Sequence, residues 1–90
     1  DVACRYGGEE FAVLLPDTSI DEAAVLCDRF RERISKHVFT YNRVKLHITT
    51  SVGVAACSAQ KEITGQQLVD LADKALYQAK KKGRNQVVTA

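Results

Sequence analysis

Two helix-start signals constrain the fold of this chain most strongly. Ser19 with Glu22, and Thr64 with Gln67, each match a capping box, in which paired side chains bond the free N–H groups at a helix start. They predict one helix from Ser19 to about Lys36 and a second that starts near Thr64. Inside both segments, apolar residues recur at spacings of three and four, which predicts one buried stripe per helix. The stripes are Ile20, Ala23, Cys27, Phe30 and Ile34, then Leu68, Leu71, Ala72, Ala75, Leu76 and Ala79.

The segment before the first helix resembles a strand hairpin. Gly7-Gly8 separates two apolar runs between Val2 and Leu15, and glycine readily takes the positive φ that tight turns need. The run Phe11–Leu15 is apolar at every position, which predicts a strand that is covered on both faces.

The segment between the helices predicts a strand as well. Apolar residues alternate with polar ones from Val44 to Val54, which is typical of a strand with one buried face. Its length predicts a turn or bulge near Tyr41-Asn42 or at Gly53. Gly83 stands where a helix C-cap glycine belongs, and residues 86–89 form a short last strand. The order β-β-α-β-α-β predicts an α+β fold, close to a ferredoxin-like antiparallel sheet with helices.

Composition narrows the class of protein. The chain has 90 residues, 46% of them apolar, which suits one globular domain at most. A net charge of +2 is too small to indicate a nucleic-acid partner. No apolar run reaches the roughly 20 residues of a membrane span. Three widely spaced cysteines favour reduced thiols over a disulfide framework or a zinc site. Because the chain starts at Asp1 and has no methionine, we expect it to be part of something longer.

Two carboxylates directly after the glycine turn indicate chemistry. Neighbouring strand residues point to opposite faces, but backbone twist at the mouth of a turn can bring Glu9 and Glu10 near one exposed site. Gly7 and Gly8 leave room for a bulky ligand to approach the backbone. Carboxylate oxygens suit Mg²⁺, which usually takes one or two carboxylates plus substrate phosphates. An ordinary Gly-Gly hairpin with a charged start also fits this unit.

A second polar cluster lies at the end of the second helix. Lys80 and Arg84 are four residues apart across that end, so the two cations can grip a polyphosphate, with Arg84 binding in a bidentate manner. A solvated basic helix end that complements the helix dipole also fits.

Taken together, the two units resemble the GGDEF family of diguanylate cyclases. The signature pentapeptide appears as Gly7-Gly8-Glu9-Glu10-Phe11, and residues 12–18, 50–55 and 72–85 are similar to the family in the same order. The resemblance covers essentially the whole chain, as the C-terminal portion of one GGDEF domain spanning residues 1–90.

The resemblance implies an activity and its requirements. Members of the family join two GTP molecules into cyclic di-GMP and release pyrophosphate, with Mg²⁺ or Mn²⁺ as the metal. Two domains face each other, so a homodimer is expected for catalysis, without nucleic acid. An upstream sensory or regulatory domain is expected, in a cytoplasmic location or tethered to a membrane by the parent protein.

The resemblance also assigns roles to single residues. Glu9 becomes a metal ligand, and Glu10 either a second metal contact or an aid to deprotonating the 3′-hydroxyl. Gly7 and Gly8 pass close to the nucleotide. The groups assigned to the phosphates are Lys80, Arg84 and Arg5.

A further implied site binds the product as an inhibitor. By position, Asp1 matches the aspartate of that site, and Arg29 on the first helix matches a secondary arginine. Phe11 and Tyr77 are expected in the core rather than at the ligand.

The chain departs from the family at its start. Family domains begin with a strand and two helices that have no counterpart here. That strand, which also supplies an aspartate to the metal, lies between the strands at 11–15 and 49–54. We therefore expect these 90 residues to be inactive alone, and either to self-associate through open strand edges or to be part of a longer domain.

Two other classes remain open from the sequence. A non-catalytic sensor of GTP or cyclic di-GMP is the first, although the intact Gly7–Phe11 signature argues against it. A ferredoxin-like RNA-binding module is the second, but it needs aromatic side chains gathered on an open sheet face. Tyr6, Phe11 and Tyr41 are scattered.

Overall fold

The computed structural model describes residues 2–58 and 62–90. Within these ranges the chain forms two helices and six strands, and the predicted α+β class is confirmed. In chain order they are β1 (Val2–Gly7), β2 (Glu10–Leu14), α1 (Ile20–Lys36), β3 (Val38–Tyr41), β4 (Val44–His47), β5 (Val52–Val54), α2 (Gly65–Lys81) and β6 (Val87–Thr89). Neither helix in these ranges has the length and apolar character that crossing a membrane requires.

Both helices begin at the predicted capping boxes. The Ser19 hydroxyl accepts from the Glu22 N–H at 3.1 Å, and the Glu22 carboxylate accepts from the Ser19 N–H at 3.2 Å. Thr64 and Gln67 make the same reciprocal pair, at 3.0 and 2.8 Å. These bonds satisfy N–H groups that a helix start leaves free, so they determine where α1 and α2 begin.

The strands pair two by two. β1–β2 and β3–β4 are antiparallel hairpins, as predicted, whereas β5–β6 is parallel. The parallel pair was not predicted. It arises because α2 connects β5 to β6, and a helical crossover brings the chain back to the end of the sheet at which it began.

The β5–β6 pair lies between the two helices. Gly53 and Val88 are register partners and share the face that α2 covers. Val87 points to the other face, beside Ala24 and Asp28 of α1. The buried apolar residues of the described chain are Ala23, Val54, Ala75 and Ala79. The packed core is therefore a three-layer unit made of α1, the β5–β6 pair and α2.

Gly53 allows α2 to lie directly on β5. A Cβ placed there would overlap the carbonyl oxygen of Ala72 and the amide nitrogen of Leu76, and would lie 2.8 Å from the Leu76 Cα. All three atoms belong to the α2 backbone, which cannot turn aside as a long side chain can. The expected turn or bulge at Gly53 is absent, because the glycine serves this close approach inside β5.

The predicted burial of β2 is wrong. Phe11 is 74% exposed, and Val13 and Leu14 are 58% and 57% exposed. β2 pairs with β1, and neither helix in the described residues packs against the hairpin in the way that both pack against β5–β6. A continuous apolar run predicts that other elements pack on both faces of the strand. In the described residues, no helix packs on either face of β2 in that way.

The long alternating strand predicted from Val44 to Val54 is divided. It forms β4 and β5 with irregular chain between them. The turn predicted near Tyr41-Asn42 is confirmed, with Asn42 and Arg43 at φ 49° and 66°. The apolar face of this segment is exposed at Val44, Leu46 and Ile48, and it is buried only at its end, at Val54.

The predicted stripe of α1 is confirmed in part. Ala23 is buried and Cys27 and Ile34 are half-buried, but Phe30 is 58% exposed. Arg31 is turned inward instead, with 16% of its side chain exposed. At the centre of α1, the buried face therefore includes Arg31 in place of the predicted Phe30.

We expect Gly53→Ala to destabilise the protein by about 3 kcal/mol or more, since the new methyl group meets backbone that must shift. Urea unfolding followed by circular dichroism measures the change. Gly65→Ala is the matched control, because a Cβ at Gly65 meets no atom within 4 Å. A Gly53→Ala protein as stable as that control would contradict the close contact.

The first capping box also predicts a pH dependence. Hydrogen bonds from the Ser19 side chain and then from its backbone lower the pKa of Glu22 below the usual 4.5. A lowered pKa contributes stability above the unfolded-state value, and this is lost as the pH falls through the folded-state value.

Glu22→Gln isolates that contribution, since glutamine can keep the box but does not titrate. The wild type should be more stable than this variant at pH 7, and the difference should shrink below about pH 4.5. Urea midpoints from pH 7 to pH 3 test this. A difference that is constant over that range would refute the assignment.

Candidate functional site

The glycine turn joins β1 to β2. Gly8 and Glu9 form the turn, and the pairing register shifts between Arg5 and Gly7. The Arg5 Nε donates to the Gly8 carbonyl oxygen at 2.8 Å. Arg5, predicted at the phosphates, thus braces the turn through one of its N–H groups.

The two glycines differ in their structural need. Gly8 has a φ of +47°, a left-handed conformation that other residues adopt only with strain. Gly7 is not left-handed, and a Cβ at either glycine meets no atom within 4 Å. The protein itself therefore requires glycine at position 8 but not at position 7. A bare backbone at Gly7 instead suits a ligand that approaches closely.

The hairpin and the end of α2 meet at one ion pair. The Lys80 Nζ lies 3.5 Å from the Glu10 Oε1, and the two side chains are 39% and 40% exposed. The structure thereby brings together two of the predicted site residues that are distant in sequence. A half-exposed pair of this kind is worth about 1 kcal/mol or less, so a ligand can readily replace it.

The end of α2 is closed by the predicted glycine cap. The Arg84 N–H donates to the Ala79 carbonyl at 2.9 Å, and the Gly83 N–H to the Lys80 carbonyl at 3.4 Å. This is a Schellman arrangement, in which Gly83 takes a φ of +119°. Arg84 follows at φ 63°. Within residues 2–58 and 62–90, no carboxylate pairs with its guanidinium.

A cavity of about 650 Å³ lies beside the ion pair. Glu10, Tyr77 and Lys80 line it, together with further residues of α2 and the chain end after β6. Cavities that hold small-molecule ligands have volumes of this order. Tyr77 was expected in the core but is 62% exposed, and Phe11 is exposed as well.

The remaining predicted residues are not drawn into this cluster. Glu9 is exposed at the turn. Arg29 lies on α1, beside Asp28 and the β6 residues Val87 and Thr89. Asp1 lies outside the described residues.

The metal prediction finds two adjacent carboxylates and no larger set. In the part of the chain that the structure describes, no three His, Cys, Asp or Glu residues form a group that could hold a metal ion. Carboxylate oxygens such as those of Glu9 and Glu10 are the ligands that Mg²⁺ takes together with phosphates and water.

Sequence reasoning missed one polar network near the site. Arg31 Nη1 donates to the Asn85 Oδ1 at 2.9 Å, and the Asn85 N–H donates to the Ser51 hydroxyl at 3.2 Å. Arg31 was predicted outside the buried stripe of α1, but it stands four residues after Cys27 and three before Ile34, and this spacing places it at the edge of that stripe.

Comparison with known proteins identifies the family. The chain matches the model of the diguanylate cyclase GGDEF domain over residues 1–86. The response regulator PleD of Caulobacter vibrioides is 43% identical over 90 residues, and diguanylate cyclase A of Treponema denticola is 40% identical over 87. These alignments cover 98% and 97% of this chain but 20% and 23% of the relatives.

Solved structures agree with the sequence matches. The GGDEF domain of DgcB from Caulobacter crescentus, in complex with c-di-GMP, aligns with a TM-score of 0.87 at 32% identity. The active GGEEF domain of a diguanylate cyclase from Vibrio cholerae aligns with a TM-score of 0.85 at 31% identity. Each match covers 97% of this chain, and 52% and 54% of the solved chains.

This chain therefore belongs to the GGDEF family, as its resemblance implied. It spans about a fifth of the length of the curated relatives and about half of the solved chains.

The turn glycines give a direct test of the site geometry. Gly8→Ala should cost about 1 to 2 kcal/mol, because alanine must adopt the left-handed conformation. Gly7→Ala should leave the free energy of unfolding unchanged within about 0.5 kcal/mol, since its methyl group enters open space. Urea unfolding of both variants measures the difference. Equal losses at the two positions would contradict this account.

Proposed function

We propose that this domain works within a diguanylate cyclase, which condenses two GTP molecules into cyclic di-GMP and two pyrophosphates. The observation that carries the proposal is the 3.5 Å contact between Lys80 and Glu10. It places a carboxylate turn, suited to a metal and a proton, beside a basic helix end, suited to phosphates. The family to which the chain belongs supplies the reaction.

The carboxylates Glu9 and Glu10 fit Mg²⁺ or Mn²⁺ by their donor chemistry. Hard oxygen ligands suit both ions, and GTP phosphates complete such a site. When bound, the ion offsets the negative charge that accumulates on the reacting phosphate. Glu10 is a second metal ligand or the acceptor of the 3′-hydroxyl proton.

The end of α2 provides the phosphate grip. A helix C-terminus carries negative partial charge and by itself repels phosphate. In the glycine cap, the carbonyls of Ala79 and Lys80 accept hydrogen bonds from the turn. The positive charges of Lys80 and Arg84 then outweigh the negative partial charge of the helix end. Lys80 then exchanges its weak pairing with Glu10 for a phosphate, while Arg84 binds in a bidentate manner.

The reaction itself is a phosphoryl transfer that depends on positioning. The 3′-oxygen of one nucleotide forms a bond to the α-phosphorus of the other, and the bond to pyrophosphate breaks. Each domain holds one GTP, so two domains must face each other, and the active form in this proposal is a homodimer. Correct placement supplies most of the rate in such transfers.

Regulation and context are part of the proposal. Arg29 is exposed on α1, away from the ion pair, where it is accessible for binding cyclic di-GMP as an inhibitor together with Asp1. The relatives are several times longer than this chain, which supports an upstream regulatory domain.

We propose that the 90 residues alone do not turn over GTP. Two observations support this. The described residues offer the metal two adjacent carboxylates and no larger group, and β2 exposes Phe11, Val13 and Leu14 where an additional layer would pack. A sensor without catalysis is the alternative. The sequence Gly7–Phe11 reads GGEEF, the same letters that describe the active Vibrio cholerae domain, which favours catalysis.

Product chromatography after incubation with GTP and Mg²⁺ tests the proposal. The 90-residue chain should form no cyclic di-GMP, and a version extended upstream in its natural protein should form it. Gly7→Ala in the extended version should lower product formation by about tenfold or more, because its methyl group occupies the space of the nucleotide. Gly65→Ala is the control and should retain full activity.

Three results would each overturn one part of the proposal. Product from the 90-residue chain would overturn the claim that it is inactive. If GTP binds to the extended protein without product, the sensor replaces the cyclase. Full activity of Gly7→Ala would overturn the nucleotide contact.

A further inference from the structure

The turn that carries Arg84 has three consecutive residues with positive φ. Gly83, Arg84 and Asn85 follow one another at φ 119°, 63° and 48°. For a residue other than glycine, the left-handed region costs about 1 to 2 kcal/mol. Asparagine adopts this region more readily than most residues, so the cost falls mainly on Arg84, and bonds from outside the turn help to hold this backbone.

Those bonds come from two distant parts of the chain. Arg31, 54 positions earlier on α1, donates from Nη1 to the Asn85 side-chain oxygen at 2.9 Å. Ser51, which immediately precedes β5, accepts from the Asn85 N–H at 3.2 Å. Asn85 is thus held through its side chain from one helix and through its backbone from the start of a strand.

Arg31 is itself fixed in place. Its Nε donates to the Asp28 Oδ1 at 2.8 Å, one turn earlier on α1, and its side chain is 16% exposed. A guanidinium held in two directions has little rotational freedom, because its N–H groups form a rigid planar fork. Its contact with Asn85 therefore restrains the turn more than a mobile surface side chain would.

Hydrogen bonds within the turn also hold the backbone of Arg84. The Arg84 N–H reaches the Ala79 carbonyl at 2.9 Å, and the Gln86 side chain donates to the Arg84 carbonyl at 3.1 Å. The backbone of Arg84 is bonded on both sides, while its guanidinium pairs with no carboxylate in the described ranges. Hydrogen bonds therefore hold the backbone of Arg84 in place, while its guanidinium is paired with no carboxylate of the described residues.

We infer that Arg31 and Ser51 are positioning residues that hold Asn85, and through it aim Arg84 at the nucleotide phosphates. This inference rests on the proposed function, since it takes Arg84 as a phosphate ligand. Neither residue contacts the substrate. Loss of either lets the turn relax, so that Arg84 keeps its charge but loses its placement.

A double-mutant cycle tests the inference in the complete protein, with GTP and Mg²⁺ and with KM and kcat measured separately. Arg84→Ala should raise the KM for GTP by about tenfold or more, and Arg31→Ala by about three- to tenfold. In the Arg84→Ala background, Arg31→Ala should have no further effect beyond about twofold, because a positioning residue has nothing left to position.

Three further variants sharpen the result. Arg33→Ala removes the same charge from the last turn of α1, where Arg33 makes no side-chain bond to Asn85, and it should leave KM unchanged. Ser51→Ala removes one hydroxyl from the other side of Asn85 and should reproduce the cycle if Arg31→Ala does not fold. Arg31→Lys keeps the charge without the fork and should give an intermediate KM.

The outcomes separate the inference from the function on which it rests. If Arg84→Ala leaves KM unchanged, the phosphate role of Arg84 is overturned and the inference with it. If Arg84→Ala raises KM, but Arg31→Ala and Ser51→Ala either have no effect or multiply KM equally in both backgrounds, the inference alone is overturned. Equal effects of Arg31→Ala and Arg33→Ala would also overturn it.

Discussion

The contact between Gly53 and the backbone of α2 is the constraint on which the rest of this structure depends. Because Gly53 has no side chain, α2 packs so close to β5 that a Cβ at this position would overlap the helix backbone. That contact positions α2 against the sheet, and the capping box and the glycine cap set the two ends of the helix. Lys80, Gly83 and Arg84 therefore stand in a defined place relative to the β5–β6 pair. The position of these two cations therefore depends on a glycine far from them in sequence.

The site lies between two parts of the molecule that are stabilised differently. α1, β5–β6 and α2 form a packed unit around small buried residues, whereas the β1–β2 hairpin leaves large apolar side chains exposed. Glu10 and Lys80 join these parts by a weak, half-exposed ion pair. A metal and a nucleotide would replace that pair with stronger contacts.

Local patterns predicted the local structure well. The two capping boxes, the cap at Gly83 and the hairpin turn each involve atoms within a few residues of one another, although the turn lies at Gly8-Glu9, one residue after the predicted Gly7-Gly8. Burial was predicted poorly at Phe11, Phe30 and Val44. An apolar side chain is more stable when it is buried, but other elements of the fold must pack against it to bury it. The parallel β5–β6 pair was missed for the same reason, since it depends on how α2 crosses the sheet.

Local sequence was enough to predict the helix starts, the glycine cap, the carboxylates after the turn and, through its motifs, the family. Those features rest on short-range hydrogen bonds and on backbone preferences that single residues express. Only the tertiary contacts show that Lys80 meets Glu10 and that Gly53 has no room for a side chain. They also show that Arg31 and Ser51 bond to Asn85, in the turn of Arg84. Each of these joins residues many positions apart, and only packing brings such atoms within bonding distance.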